Sequence, residues 1–270
     1  MEQFSLKGKT AVLTGAARGL GFAFAEALAE AGANIAVLDL ASPGERLAIL
    51  QTKYGVKSEY YQTDVTNREN VTEVIERIEQ DFGSVDINVN AAGVVTDETF
   101  LTTSDKNISS TFAVNFVGSF LVAQACANAM VRKWEKMGKP APSDSPPIGS
   151  IVFVASVATH ISTAVQNISC YIASKAAVRG LVKPMAMELA QYGIRVNSLS
   201  PGPMRTDMMR QVEQQQPDLV KQFNKESMFG RVGNPDELKP AILFLCCSGW
   251  TTGQDLLVDG GVSSWKHPAF

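Results

Sequence analysis

Short apolar runs alternating with amphipathic stretches set the rhythm of this chain. Residues 11–13 and 33–38 are apolar runs too short for a helix and β-branched enough for a buried parallel strand. Between them Phe22, Ala25, Leu28 and Ala29 recur at helical spacing, and Gly32 follows as a helix stop. Val71, Val74, Ile75 and Ile78 repeat the helical pattern behind Asn67, a residue suited to an N-cap, and Gly83 breaks it. The same reading predicts helices over 43–54, 104–136, 170–191 and 235–247, and strands over 56–61, 85–89, 149–155, 194–199 and 255–258. Pro184 should kink the 170–191 helix locally. Strand–helix alternation sustained over the whole chain predicts an α/β fold, a doubly wound parallel sheet with right-handed crossovers. One position resists the pattern: Asn88 sits where a central strand would carry a large aliphatic side chain, and an internal hydrogen bond would be needed there.

Between the first strand and the first helix lies Thr14-Gly15-Ala16-Ala17-Arg18-Gly19-Leu20-Gly21, and the second strand ends at Asp39, 18 positions after Gly21. Glycines at a strand-to-helix turn let the backbone approach a pyrophosphate, whose charge sits among the unpaired N–H groups of the helix start. A carboxylate at that distance can accept the adenosine ribose hydroxyls. It would also repel a 2′-phosphate, which favours NAD over NADP; Arg18 is the only phosphate partner in view, since Asp39 is followed by Leu40.

Composition narrows the classes. At 270 residues, 45% hydrophobic and 19% charged, the chain is long enough for one α/β domain with a sizeable core. A net charge of -3 offers no basic surface for nucleic acid. The apolar run 241–247 is too short to span a bilayer, and residues 1–8 do not read as a signal peptide. Cys126, Cys170, Cys246 and Cys247 show no metal-ligand spacing, so no metal is expected, and reduced thiols fit a cytosolic protein. The stretch of about 137–148, with Pro140, Pro142, Pro146 and Pro147, reads as a surface loop within one domain spanning 1–270. The polar, Gln- and Met-rich stretch of about 203–230 reads as a lid. Gln211, Gln214, Gln215 and Gln216 within it fit a solvated helix face better than a sugar site.

Chemistry is concentrated in Tyr171-Ile172-Ala173-Ser174-Lys175, which puts a phenol and an ammonium on one helical face. A phenol near its ordinary value of about 10 is a poor base at neutral pH, and a fixed cation nearby would lower it. Upstream, Ser156 ends the predicted fifth strand at the edge of the sheet where α/β folds bind ligands.

Taken together, these residues resemble the short-chain dehydrogenase/reductase family. The glycine turn, Asp64, Asn90-Ala91-Ala92-Gly93, Asn115 within Ala113-Val114-Asn115-Phe116-Val117-Gly118, Ser156, Tyr171, Lys175 and Pro201-Gly202 match its motifs over roughly residues 8–262. The interval of 15 from Ser156 to Tyr171 is about two longer than the family's usual spacing. That lengthening, with Ala158-Thr159-His160-Ile161, Arg205-Thr206, Val258-Asp259-Gly260-Gly261 and Trp265, resembles the branch acting on polyols and ketoses.

The resemblance implies a seven-stranded Rossmann-type sheet of order 3-2-1-4-5-6-7 and hydride exchange between a nicotinamide and a secondary alcohol or ketone. It implies an Asn115, Ser156, Tyr171, Lys175 tetrad. Tyr171 is the acid or base, Ser156 holds the carbonyl oxygen, and Lys175 holds the nicotinamide ribose and depresses the phenol. Asn115 holds a water. Cofactor contacts fall to Gly15, Arg18, Gly19, Leu20, Gly21, Asp39, Asp64, Val65, Asn90, Ala91, Gly93, Tyr171, Lys175, Pro201, Gly202 and Thr206. Substrate hydroxyls would meet Ser156 and, in the lengthened loop, His160, Gln166 or Asn167. A homotetramer or homodimer is implied as well. Two other readings stay open: a ketone reductase of a specialised biosynthetic pathway, whose bulkier substrate a lid holding Met204, Met208, Met209 and Met228 does not exclude, and a nucleotide-binding sensor without turnover. A complete tetrad argues against the last.

Overall fold

The computed structural model describes residues 2–162, 166–206, 209 and 217–265. Seven parallel strands form one sheet in the order β3-β2-β1-β4-β5-β6-β7. They are β1 (Thr10–Thr14), β2 (Asn34–Asp39), β3 (Ser58–Gln62), β4 (Ile87–Asn90), β5 (Gly149–Val154), β6 (Ile194–Pro201) and β7 (Asp255–Val258). The helices are α1 (Gly19–Glu30), α2 (Glu45–Tyr54), α3 (Arg68–Phe82), α4 (Asp105–Phe112), α5 (Ser119–Lys136), α6 (Ser169–Leu189), α7 (Pro217–Glu226) and α8 (Lys239–Cys247).

The two-residue period of a strand sorts the core into two layers. Val12, Ala36, Ile151, Phe153 and Val196 pack on one face with Ile75 of α3, Val122 of α5 and Val178 of α6. Their neighbours Ala11, Leu13, Ile35, Val37, Val152 and Val154 pack on the other with Phe24 and Leu28 of α1 and Ile242 of α8. Strands buried on both faces must be apolar throughout, which is why they read as unbroken runs.

Several boundaries differ from the pattern, each for a local reason. β4 begins at Ile87 rather than at Val85, and just before it the buried Asp86 carboxylate accepts the Thr10 amide (2.8 Å) and pairs with Lys133. The predicted 104–136 helix is continuous but holds a π-helical segment, Ala113–Gly118, between α4 and α5. Helix α6 runs through Pro184 without ending there. Residues 235–247 divide into a 3-10 turn, Pro235–Leu238, and α8. Asn88 is accommodated as its position demands: its amide donates to the Val12 carbonyl (3.3 Å), and its oxygen accepts from the Asn90 amide (2.7 Å). The rod of residues 105–136 is long and apolar enough by composition to cross a membrane, which the apolar run 241–247 is not. Much of it is instead buried against the sheet and α3, with Arg132 paired to Glu79.

Candidate active site

The carboxyl ends of β1, β4, β5 and β6 open into a cavity of about 820 Å³. Its floor is the glycine turn. Gly15 and Gly19 have φ of +62° and +60°, the left-handed region that glycine tolerates without strain. A Cβ on Gly21 would lie 2.2 Å from the Gly15 carbonyl oxygen, so no larger residue fits this packing. Arg18 occupies the N-cap of α1 with extended backbone and supplies no side-chain cap, leaving the first N–H groups of the helix available to an anion. The Asp39 carboxylate is held by the Ala17 amide (3.0 Å) and the Ala41 amide (3.1 Å), and lines the same cavity. This cradle, with an acid at its far rim, fits a dinucleotide. No group of three or more metal-ligating side chains occurs among the described residues.

Above the turn, the tetrad residues are drawn together from three elements: the π-helical segment, the turn after β5 and helix α6. Asn115, fully buried in the π-helical segment, is clamped to the strand-end loop: its Oδ1 accepts the Val94 amide (2.8 Å), and its Nδ2 donates to the Val94 carbonyl (2.9 Å) and to Ser174 Oγ (2.9 Å). The Asn115 carbonyl accepts from Ser119 Oγ at 2.7 Å. Both side-chain N–H groups are therefore used on protein, and only oxygen lone pairs remain for a water. Lys175, 4% exposed, donates to the Val154 carbonyl at 2.7 Å. Gly93 completes this contact, because a Cβ there would sit 3.3 Å from both Asn115 Oδ1 and Lys175 Nζ. Ser156 caps the short turn Val157–Thr159 by accepting the Ala158 amide (3.2 Å).

The electrostatics correct one expectation. The phenol of Tyr171 lies above its ordinary value: burial of the hydroxyl pushes it up, and hydrogen bonding from Ser156 pulls only partly back. Lys175 does not depress it in this structure. Its ammonium is itself pushed down to about 8 by burial, since a charge without a counter-ion is disfavoured in a packed interior. Its Nζ lies 6.0 Å from the Tyr171 ring centroid, with its proton aimed at Val154 instead. A pH dependence follows. With Tyr171 as the expected base, alcohol oxidation would need the ionised phenol, so its kcat/KM should rise about tenfold per pH unit through the neutral and alkaline range. Ketone reduction needs the protonated form and should stay flat until the alkaline limb. An oxidation rate unchanged between about pH 6 and 9 would remove Tyr171 as the base.

Most other candidates line the cavity: Leu20, Asp64, Val65, Ala91, Pro201, Gly202 and Thr206, and from the lengthened loop Gln166. Asn90 does not. It is buried behind the wall, bonded to Asn88, while Thr14 Oγ1 holds the Ala91 and Ala92 amides (3.2 and 3.1 Å). His160 does not line it either: its Nε2 meets Asp255 Oδ2 at 2.7 Å, and Asp255 also accepts from Ser198 and Ser200. The turn that carries His160 points it at Asp255 of β7. Asn167 uses its backbone on the loop after β4 rather than facing the cavity. Met208, Gln211, Gln214, Gln215, Gln216 and the tail 266–270 lie outside the described residues.

Four contributors escaped sequence reasoning. Ser174 orients Asn115; Arg46 donates to the Ala17 carbonyl (3.2 Å) beside the Asp39 carboxylate's partner; Asp97 and Glu226 line the cavity. Arg46 could have been sought as a cation in the first turn after β2, but Asp97 and Glu226 carry no motif.

The fold and site define a nicotinamide-dependent oxidoreductase, and comparison with known proteins agrees: a family profile described as enoyl-(acyl carrier protein) reductase matches residues 15–263. The chain belongs to the short-chain dehydrogenase/reductase family, whose relatives act on CH–OH groups. Among its relatives, a probable NADP-dependent mannitol dehydrogenase of Yarrowia lipolytica is 35% identical over 97% of this chain and 90% of its own length. The sorbose reductase sou1 of Schizosaccharomyces pombe is 34% identical over 97% of this chain and 98% of its own. The crystal structure of a Burkholderia cenocepacia gluconate 5-dehydrogenase in complex with NADP and tartrate superposes with a TM-score of 0.85 at 32% identity, covering 98% and 99% of the two chains.

Proposed function

We propose that the protein interconverts a sugar alcohol and its ketose, with NAD as the preferred cofactor. The observation that carries the reading is the hydroxyl of Tyr171 beside Ser156, on the wall of a cavity floored by the glycine turn. When bound, the nicotinamide supplies the hydride acceptor or donor. The chain's own residues do the rest. Tyr171 Oη takes the proton of the carbinol hydroxyl, or returns it to the carbonyl oxygen. Ser156 Oγ donates to that oxygen and aligns it. Lys175, anchored by Val154, holds the ribose side of the site, and Asn115 fixes the loop at Gly93–Val94 against it. The segment around α7 acts as a lid. Polyol use is supported by the mannitol and sorbose enzymes among the relatives and by Gln166 in the cavity wall. The test is nicotinamide absorbance with pentitols and hexitols. Turnover of one or two supports the reading; silence across the panel, with dinucleotide binding intact, refutes it. A ketone reductase with a bulkier substrate is the second reading, favoured by the apolar side of the cavity at Met204, Leu219, Phe223 and Val262.

Cofactor choice rests on Asp39, whose carboxylate opposes a 2′-phosphate. NADP is the second reading, favoured by Arg18 and Arg46 near the same rim and by the NADP named for two relatives. Replacement of Asp39 by alanine should raise the NADP-to-NAD ratio of kcat/KM at least about tenfold, as expected for removal of one close like charge. An unchanged ratio in steady-state kinetics counts against the assignment. We further propose a homotetramer or homodimer paired through its long helices, which light scattering would test. The four free cysteines support a reducing, cytosolic setting.

A further inference from the structure

The loop after β4 and the loop before α6 are stitched together at one point. The Glu98 amide donates to the Asn167 carbonyl (2.9 Å), and the Asn167 amide donates back to Asp97 Oδ1 (3.0 Å). Asn107 holds Glu98 Oε1 from below at 2.5 Å, so Glu98 faces α4 while Asp97 faces the cavity. One oxygen of Asp97 is thereby fixed, and the other has no hydrogen-bond partner among the described residues. The stitch lies four positions before Tyr171, on the side of the cavity where Gln166 and Ile168 also stand.

An oriented carboxylate with a free oxygen is an acceptor-only group. It gains from neutral hydroxyls, which can only help it by donating, and it repels a carboxylate brought into the same pocket. Glu226, 5% exposed, lines the same cavity from the end of α7. We propose that Asp97 reads the substrate: it accepts hydroxyls of a neutral polyol or ketose and turns away sugar acids of the same length. Asn167 is a positioning residue that holds Asp97. The inference rests on the polyol reading.

The test is kcat/KM for a hexitol and for the aldonic acid of equal length, with saturating NAD, on the wild type and on Asp97→Asn. The variant keeps the acceptor that Asn167 holds but loses the charge. The wild type should prefer the hexitol at least about tenfold, and Asp97→Asn should shrink that preference at least about tenfold, mostly through KM, with the KM for NAD unchanged. If the wild type uses the acid equally well, or the preference survives in the variant, the inference is overturned while polyol turnover stands. If neither compound turns over although NADH fluorescence shows binding, the polyol reading itself falls and this inference with it.

Discussion

Replacing Tyr171 by phenylalanine should lower turnover about 10³-fold or more while dinucleotide affinity stays within about twofold. The change removes one oxygen and leaves the ring in place. The backbone at this point is secured independently, because Ser174 Oγ holds the Tyr171 carbonyl at 2.7 Å and Asn115 holds Ser174. The lost atom is the proposed proton carrier, and nothing nearby replaces it. Ser156 has its oxygen engaged by Ala158 and an ordinary hydroxyl is a far weaker acid than a phenol. Lys175 is buried and directed at Val154. Steady-state turnover, NADH fluorescence titration and a thermal melt separate the possibilities. A variant retaining more than about a tenth of wild-type rate would show that the proton travels elsewhere. Loss of binding or folding together with rate would make the residue structural.

Gly21→Ala should be the most damaging single-methyl change in the chain's nucleotide-binding half. Its Cβ would lie 2.2 Å from the Gly15 carbonyl oxygen, 2.8 Å from the Gly15 carbonyl carbon and 2.9 Å from Ala16 Cα. All three are backbone atoms, so the turn itself must move rather than a side-chain tip. Overpacking of this kind costs about 1–3 kcal/mol, and in a chain of this size that is a fall of about 3–10 °C in Tm. Because the displaced atoms form the cradle, dinucleotide affinity should fall at least about tenfold as well. Gly19→Ala is the control. Its Cβ would meet only Thr206 side-chain atoms at 3.9 and 4.0 Å, leaving the strain of φ +60°, about 1–2 kcal/mol. Thermal melts with and without NADH should therefore rank Gly21→Ala as the worse in both stability and the shift on ligand addition. Equal behaviour of the two would mean the close packing of Gly21 on Gly15 is not what shapes the site.

The alternation of apolar runs and helical periods determined the parallel sheet and its single αβ rhythm, since strands buried on both faces and one-sided helices leave opposite periodicities in a sequence. The glycine turn, Asp39, Ser156, Tyr171 and Lys175 were legible for a related reason: each sits at a strand end or a fixed helical interval, so local spacing sets its place. Only the tertiary structure decided the rest. It turned His160 to Asp255 and Asn167 to Asp97, because a loop residue's direction depends on the partner its turn happens to reach. It used Asn88 and Asn90 on each other within β4. It raised the phenol that spacing alone would lower, because burial acts on both charged groups and depends on packing from elements far apart in the chain. And it brought Asp97 and Glu226 to the cavity from two separate segments, and Arg46 to the Ala17 carbonyl beside it. Spacing records what is local; direction, burial and company are properties of the folded whole.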